Sequence, residues 1–103
     1  MPETTTPERL LTDLQQRLQS RFAADPSHSY VARLLQAGED RILQKIGEEA
    51  IETLLAAKSA SPQALIHEMA DLWFHCLLLL SLHNLSAEDI LAELTRRFNR
   101  TDK

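Results

Sequence analysis

Apolar residues recur along this chain at helical spacing, and no segment shows the alternation of Val, Ile and Thr with polar residues that marks a β-strand. The first helical face consists of Leu10, Leu11, Leu14, Leu18 and Phe22. In front of it, Thr6 offers a capping hydroxyl and Pro7 suits the first helical position. The pattern predicts a first helix from Pro7 to about Ala24.

The next two helices are predicted from their flanking residues. After a loop "ADPSHS", Ser29 can cap a short helix that runs through Leu35 and ends at Gly38. A third helix is then predicted from about Glu39 to Lys58.

The last two helices carry similar signals. Ser61 and the proline after it repeat the cap-plus-proline pattern and start a fourth helix, which ends near His83. Ser86 then caps a final helix, "AEDILAELTRRF", with Asp89 three residues on and arginines near its C-terminus.

The fourth helix is apolar around its whole circumference. From Leu72 to Leu82 every residue except His75 and Ser81 is apolar, and such a helix must be surrounded. The other short helices of one chain can cover about two of its faces, so we expect a second copy to cover the rest. The alternative is a central helix in a monomer. The expected fold is an all-α bundle of four to five helices, completed by homodimerisation, with Trp73 and Cys76 as packing residues.

Length and charge narrow the class of protein. A chain of 103 residues predicts a single domain spanning 1–103, with its core at about 7–100. The net charge of −4 and the absence of a basic stripe argue against a nucleic-acid partner. A lone cysteine fits a reducing compartment, "MPETTTPER" lacks a signal pattern, and the apolar run 72–82 is shorter than the ~18 residues of a membrane span. We expect a soluble cytoplasmic protein.

Two acidic stripes are predicted in this bundle, on helices that can bring them face to face. Residues three or four apart share a helix face, which groups Lys45, Glu48, Glu49 and Glu52 on the third helix and Glu68, Asp71 and His75 on the fourth. If the two helices lie antiparallel across their short loop, the stripes meet. Clustered carboxylate oxygens suit Mg²⁺, which also takes water and phosphate oxygens.

Each stripe has a simpler interpretation. EExxE on a helix is most often a solvated face, but acids such as Glu68 and Asp71, beside a continuous apolar run, are rarely placed for solubility. The pair of stripes therefore favours a metal site. His75 is either a base or partner for a metal ligand, or a hydrogen-bonded core histidine, and the second role is favoured.

These residues carry a resemblance. "KIGEEAIE…EMAD" resembles the EExxE…ExxD signature of the all-α nucleoside-triphosphate pyrophosphohydrolase (MazG-like) superfamily. Within it, "SYVARLLQAGEDRILQKIGEEAIETLLAA" and "EMADLWFHCLLLL" resemble the phosphoribosyl-ATP pyrophosphohydrolase family over roughly residues 10 to 98. Phe74 stands where that family often has tyrosine.

The resemblance implies a MazG-like bundle that hydrolyses phosphoribosyl-ATP to phosphoribosyl-AMP and pyrophosphate with Mg²⁺, early in histidine biosynthesis. The implied metal ligands are Glu49, Glu52, Glu68 and Asp71. Glu48 or Glu49 would take a proton from the attacking water.

The implied substrate contacts are Lys45, Arg33 and Arg41 for phosphate, with Ser29 and Tyr30 for base or ribose. Each has an alternative. The arginines can be surface charges, the lysine can be only a partner of Glu49, and the serine and tyrosine can be a cap and a core ring.

Two other functions stay open on sequence alone. One is a different all-α pyrophosphohydrolase that removes non-standard or deoxy nucleotides. The other is a non-catalytic helical dimerisation module, against which the acids in the apolar fourth helix argue.

Overall fold

The computed structural model describes residues 6–100, and this part of the chain consists of helices without any β-strand. The helices are α1 (Pro7–Ser20), α2 (Tyr30–Ala37), α3 (Glu39–Lys58), α4 (Pro62–Leu82) and α5 (Ala87–Arg100). The all-α prediction is confirmed. Most of the N-terminal stretch that was read for a signal pattern lies outside the described residues.

The first helix is shorter than predicted, and its expected cap is absent. α1 ends at Ser20 because the N–H groups of Arg21 and Phe22 donate to carbonyls three residues back, each at 3.1 Å, and begin a run of turns. The following Asp25-Pro26 pair disfavours helix and explains why the chain turns here. The side chain of Thr6 makes no capping hydrogen bond, although the proline after it occupies the start of the helix as predicted.

The other four helices begin and end close to their predicted bounds. Ser29 and Ser61 each accept, through Oγ, the backbone N–H three residues on at 3.2 Å. Gly38 has a φ of 102°, which L side chains rarely adopt, and it separates α2 from α3. At the start of α5, Asp89 accepts the N–H of Ser86 at 2.9 Å, which is the carboxylate half of a capping box.

The hairpin of α3 and α4 is the centre of the fold. These two helices form the most extensive pair, with α2 against α3, and α1 against both α4 and α5. Ile42 on α3 and Leu78 on α4 are fully buried. The remaining buried members of the apolar core are Leu18, Val31, Leu34, Leu77 and Ala87. This packing holds the two acid-bearing helices in a fixed register.

A buried polar network ties α1 to the far end of α4 and the start of α5. Nε2 of Gln15 donates to the carbonyl of Leu77 at 2.9 Å and to Oγ of Ser81 at 2.6 Å. Its Oε1 accepts the N–H of Ala87 at 2.8 Å. Both polar atoms of this buried amide therefore have partners, as expected of a structural side chain.

Apolar side chains remain on the surface of the described chain. The apolar α3 face consists of Ile51, Leu54 and Leu55, which are between 60% and 68% exposed. The apolar groove, a cavity of about 320 Å³, lies between α4, α1 and α5 and is lined by Leu11, Trp73, Cys76, Leu77, Leu80, Ala87, Ile90, Leu91 and Leu94.

The two predicted packing residues in this groove differ. Cys76 is partly buried, and this burial raises the pKa of its thiol, so it behaves as an apolar packing group as predicted. Trp73 is 58% exposed, so the prediction that it packs is wrong for contacts within the chain. Within residues 6–100, its ring lies on an uncovered face of the apolar groove.

By length and composition alone, α4 is long and apolar enough to cross a membrane. The prediction that no membrane-length segment is present considers only the run 72–82, whereas the helix begins at Pro62. Glu68 and Asp71 lie within the same helix, where charges are costly in a bilayer. Leu77 and Leu78 of the helix are buried in the core. Within the described chain, 22% of the membrane-length window of this helix is buried.

Candidate metal centre

The α3–α4 hairpin brings three of the four predicted ligands together. One carboxylate oxygen from each of Glu49, Glu68 and Asp71 lies within 4.8 Å of the other two. The two acids on α4 are three residues apart and share a face, while the packing of α3 against α4 places Glu49 beside them. We call these three residues the acidic cluster. Such a set of oxygen donors suits a hard divalent cation.

Glu49 is the buried member of the acidic cluster, at 6% exposure. Its Oε2 lies 3.5 Å from Nζ of Lys45, but its Oε1 is buried and has no hydrogen-bond partner among residues 6–100. An unpaired buried carboxylate oxygen is costly in the folded state. A cation coordinated by Oε1 would offset this cost, so the residues present fit a metal ion.

Glu52, the fourth predicted ligand, lies beside the acidic cluster. Partial burial of Glu68 raises its pKa, and a hydrogen bond with Glu52 and the charge of Glu52 raise it further, against a smaller opposing effect of His67. Both glutamates also line an open cleft of about 330 Å³ at the loop end of the hairpin. Glu52 is thus close to the cluster through Glu68, without belonging to the set of three oxygens that converge.

Lys45 supplies a positive charge next to the buried acid. Its Nζ lies 3.5 Å from Glu49 and 3.7 Å from Glu48. Burial acts to lower the pKa of Lys45, but the charges of Tyr30, Glu49 and Glu48 together outweigh burial and raise it. The ammonium therefore stays charged. It pairs with Glu49, and its three N–H donors leave capacity for a phosphate oxygen.

Glu48 and Arg41 are not brought into the acidic cluster. Oε2 of Glu48 accepts a hydrogen bond from Nε2 of Gln44 at 2.9 Å, and its side chain is 43% exposed. Arg41 is exposed near the start of α3. The role of Glu48 as base and that of Arg41 as phosphate contact therefore stay predictions, based only on where the two residues lie along α3.

Tyr30, at the start of α2, stacks on Phe74 of α4, and we call this pair of rings the aromatic shelf. Its ring stacks on Phe74 with centroids 6.2 Å apart and planes at 27°, and it is 40% exposed. The guanidinium carbon of Arg33 lies 5.9 Å from the ring centroid, and Arg33 donates to the carbonyl of Pro26 at 3.2 Å. Ser29 is buried, and its hydroxyl is already used by the helix cap.

His75 is a buried, hydrogen-bonded histidine, which confirms the favoured interpretation. Its Nδ1 lies 2.8 Å from the carbonyl oxygen of Asp71. Its Nε2 lies 2.8 Å from the hydroxyl of Tyr30. The ring therefore links the aromatic shelf to the helix that carries two of the clustered acids.

Two contacts at the site were not predicted. The Tyr30–His75 hydrogen bond joins residues 45 positions apart, and no spacing rule connects them. Nε2 of His67 lies 3.5 Å from Oδ2 of Asp71 across one helical turn, so the spacing of four residues was a usable signal.

Comparison with known proteins points to one family. The family model described as phosphoribosyl-ATP pyrophosphohydrolase matches residues 11–98. A phosphoribosyl-ATP pyrophosphatase from Neisseria gonorrhoeae is 53% identical over 90 residues, which cover 87% of this chain and 84% of the relative. Proteins of the same name from Nitrosomonas eutropha and Burkholderia mallei are 50% and 52% identical over 93 and 101 residues, covering 90% and 94% of this chain and 80% and 82% of those relatives.

The helical fold and the acidic cluster on its central hairpin, together with these matches, define an all-α hydrolase. Because the family model covers most of its length, the chain belongs to the phosphoribosyl-ATP pyrophosphohydrolase family. The resemblance carried by the two sequence segments quoted above is confirmed.

Proposed function

We propose that this protein hydrolyses phosphoribosyl-ATP to phosphoribosyl-AMP and pyrophosphate in a Mg²⁺-dependent reaction, an early step of histidine biosynthesis. The observation that carries the proposal is the buried Oε1 of Glu49, which lacks a partner beside two further carboxylates. Family membership supplies the substrate, since the relatives carry the name phosphoribosyl-ATP pyrophosphatase.

In this proposal Glu49, Glu68 and Asp71 hold Mg²⁺, and Glu52 completes the set of ligands. When bound, Mg²⁺ neutralises negative charge on the phosphates. Water attacks phosphorus, the bond between the α and β phosphoryl groups breaks, and pyrophosphate leaves. We assign the proton of the water to Glu48, because its exposed carboxylate lies outside the acidic cluster while Glu49 is engaged as a ligand.

We propose that three cations, Lys45, Arg33 and Arg41, neutralise the remaining phosphate charge. Lys45 already holds its ammonium 3.5 Å from Glu49, so it can reach a phosphate bound to the same metal. Arg33 and Arg41, both exposed, contribute further charge. Tyr30 contacts the base or ribose through its exposed ring, and Ser29 fixes the start of α2 beneath it.

We further propose that the active form is a soluble, cytoplasmic homodimer in which each chain is a single domain. The apolar α3 face and the apolar groove with the half-exposed Trp73 leave large apolar side chains uncovered within the described chain, and such surfaces often mark protein–protein contacts. A second copy is the partner that a symmetric bundle of this size calls for. The charge balance favours no nucleic-acid or membrane partner.

One experiment tests the proposed reaction. The protein and Mg²⁺ are incubated in parallel with phosphoribosyl-ATP, ATP and dUTP, and pyrophosphate release is followed. We expect rapid release from phosphoribosyl-ATP alone. Release from ATP or dUTP only would instead indicate a pyrophosphohydrolase for non-standard or deoxy nucleotides. If no substrate released pyrophosphate and calorimetry detected no Mg²⁺ binding, the result would instead favour a non-catalytic dimerisation module.

Light scattering tests the assembly. At low micromolar concentration we expect about twice the chain mass. Leu54→Lys, on the apolar α3 face, should shift the protein towards the monomer, whereas Gln63→Lys, an equally large change at an exposed polar position, should not. A parental protein that is monomeric and fully active would refute the homodimer.

A further inference from the structure

The contacts of His75 assign the hydroxyl of Tyr30 as a hydrogen-bond donor when the imidazole is neutral. The carbonyl of Asp71, 2.8 Å from Nδ1 of His75, has no hydrogen, so Nδ1–H is the donor of that bond. In a neutral imidazole the other nitrogen is then an acceptor, and the Tyr30 hydroxyl donates to Nε2 at 2.8 Å. The side chain of Tyr30 therefore offers its ring to the outside.

The same histidine also fixes the plane of that ring. His75 stands edge-on to Tyr30, with centroids 5.8 Å apart and planes at 88°, and edge-on to Phe74 at 5.2 Å and 89°. Three aromatic rings that contact one another pairwise leave little freedom for any one of them. Since His75 is 5% exposed, it can act only through the residues that it touches.

We propose that His75 is a positioning residue for substrate binding, which holds Tyr30 so that the purine base of the substrate packs on the part of its ring that Phe74 leaves open, in the place where the guanidinium of the exposed Arg33 now lies. This inference rests on the proposed function, because the purine base that would stack on Tyr30 belongs to the proposed substrate. Stacking of a base on an aromatic side chain changes affinity by about 5- to 150-fold. A ring fixed in advance loses less of that gain to ordering on binding.

Two variants remove the hydrogen bond from opposite sides. Tyr30→Phe deletes the hydroxyl and keeps the ring, and His75→Leu deletes the acceptor. Each should raise KM for phosphoribosyl-ATP about three- to tenfold, the range that one hydrogen bond supports. The kcat should stay within about twofold, because the bond is the same in ground and transition states. Mg²⁺ affinity, measured by calorimetry, should not change.

Coupling and rescue separate positioning from general destabilisation. Because both variants cut the same bond, the double variant should raise KM no further than the larger single effect. His75→Gln, whose amide oxygen can accept from Tyr30, should recover most of the parental KM.

Matched controls come from contacts of the same kind elsewhere. His83→Leu breaks the 2.7 Å contact of a surface histidine with Glu39. Thr12→Val deletes a hydroxyl that donates to Glu88 at 3.2 Å. Neither should change KM.

The outcomes distinguish the two levels of the proposal. If the parent is active and both Tyr30→Phe and His75→Leu keep its KM while melting lower, the bond is only structural and this inference alone is overturned. Additive effects in the double variant would also overturn it. If the parent releases no pyrophosphate from phosphoribosyl-ATP, the proposed function fails and takes the inference with it. Should His75→Leu not fold, Tyr30→Phe and His75→Gln decide the question.

Discussion

Gln15 on α1 and Glu49 on α3 are 5% and 6% exposed, but the fold supplies partners to them very differently. The amide of Gln15 donates twice and accepts once. The carboxylate of Glu49 has a lysine at one oxygen and no partner at the other. The contrast shows that burial of a polar side chain does not by itself mark a site. A buried carboxylate with one oxygen left unsatisfied is the stronger indication of a site.

The two residues should therefore differ in what they contribute. Gln15 links three helices through neutral hydrogen bonds, so its value lies in the stability of the fold. Glu49 holds an unsatisfied oxygen in the folded state, a cost that binding of a cation would relieve. The first residue should govern stability and the second activity.

The largest expected effect comes from neutralising the acidic cluster. Glu49→Gln and Asp71→Asn keep size but lose the charge that a metal requires, so pyrophosphate release should fall by at least about a hundredfold. Removing one of several clustered charges also relieves repulsion, so neither variant should melt below the parent. A pyrophosphate assay and a thermal melt on one sample measure both. A lower melting temperature with turnover kept per folded molecule would make these acids structural.

The reverse pattern is expected at Gln15. Gln15→Leu leaves the buried N–H of Ala87 and hydroxyl of Ser81 without this partner, which should lower the free energy of unfolding by about 3 kcal/mol. Activity per folded molecule should be unchanged. Urea denaturation measures the loss, and Gln16→Leu, at the exposed neighbouring position, is the matched control. If Gln15→Leu and Gln16→Leu were equally stable, Gln15 would not have the structural role proposed for it.

Lys45 tests whether the paired oxygen of Glu49 belongs to the site or to the fold. Lys45→Met should raise KM for phosphoribosyl-ATP about tenfold through the loss of one charged contact, with Mg²⁺ affinity and melting temperature nearly parental. Steady-state kinetics and calorimetry give the two readouts. A changed Mg²⁺ affinity with parental KM would instead make the lysine a partner of Glu49 only.

The smallest effect concerns Glu93, an exposed acid whose charge is well paired. Hydrogen bonds from Arg96 and Arg97 lower the pKa of Glu93 to about 2 from 4.5. Because the folded-state pKa is depressed, its stabilising contribution is complete above about pH 4.5 and disappears as the pH falls through about 2. Glu93→Gln should therefore reduce the dependence of stability on pH within that window and leave activity at neutral pH unchanged. If the acid unfolding curve of Glu93→Gln were the same as that of the parent, these surface ion pairs would contribute nothing to stability.

Most of the helix boundaries could be predicted from short-range signals in the sequence. Cap residues such as Ser29 and Ser61 act within one helical turn, so they predicted the starts of α2 and α4. The same spacing rules grouped Glu68 with Asp71.

What depends on packing was not predictable. Glu48 and Glu49 are neighbours in sequence but point about 100° apart on the helix, and only the packing of α4 decides which is buried. The Tyr30–His75 bond crosses 45 positions and needs the whole fold to form. Likewise, Phe22 fits the periodicity of α1 but falls in the turns that follow Ser20, because the chain must leave the helix before the Asp-Pro pair.

The single tryptophan of the chain, Trp73, is 58% exposed in the apolar groove, two residues after Asp71. Indole fluorescence shifts to shorter wavelength when water around the ring is replaced by apolar groups. If the chains associate through this groove, diluting the protein should therefore move the emission maximum of Trp73 to longer wavelength. Since the same helix carries two of the acids that we propose as metal ligands, a titration with Mg²⁺ followed by this emission would show whether cation binding and association of the chains are linked.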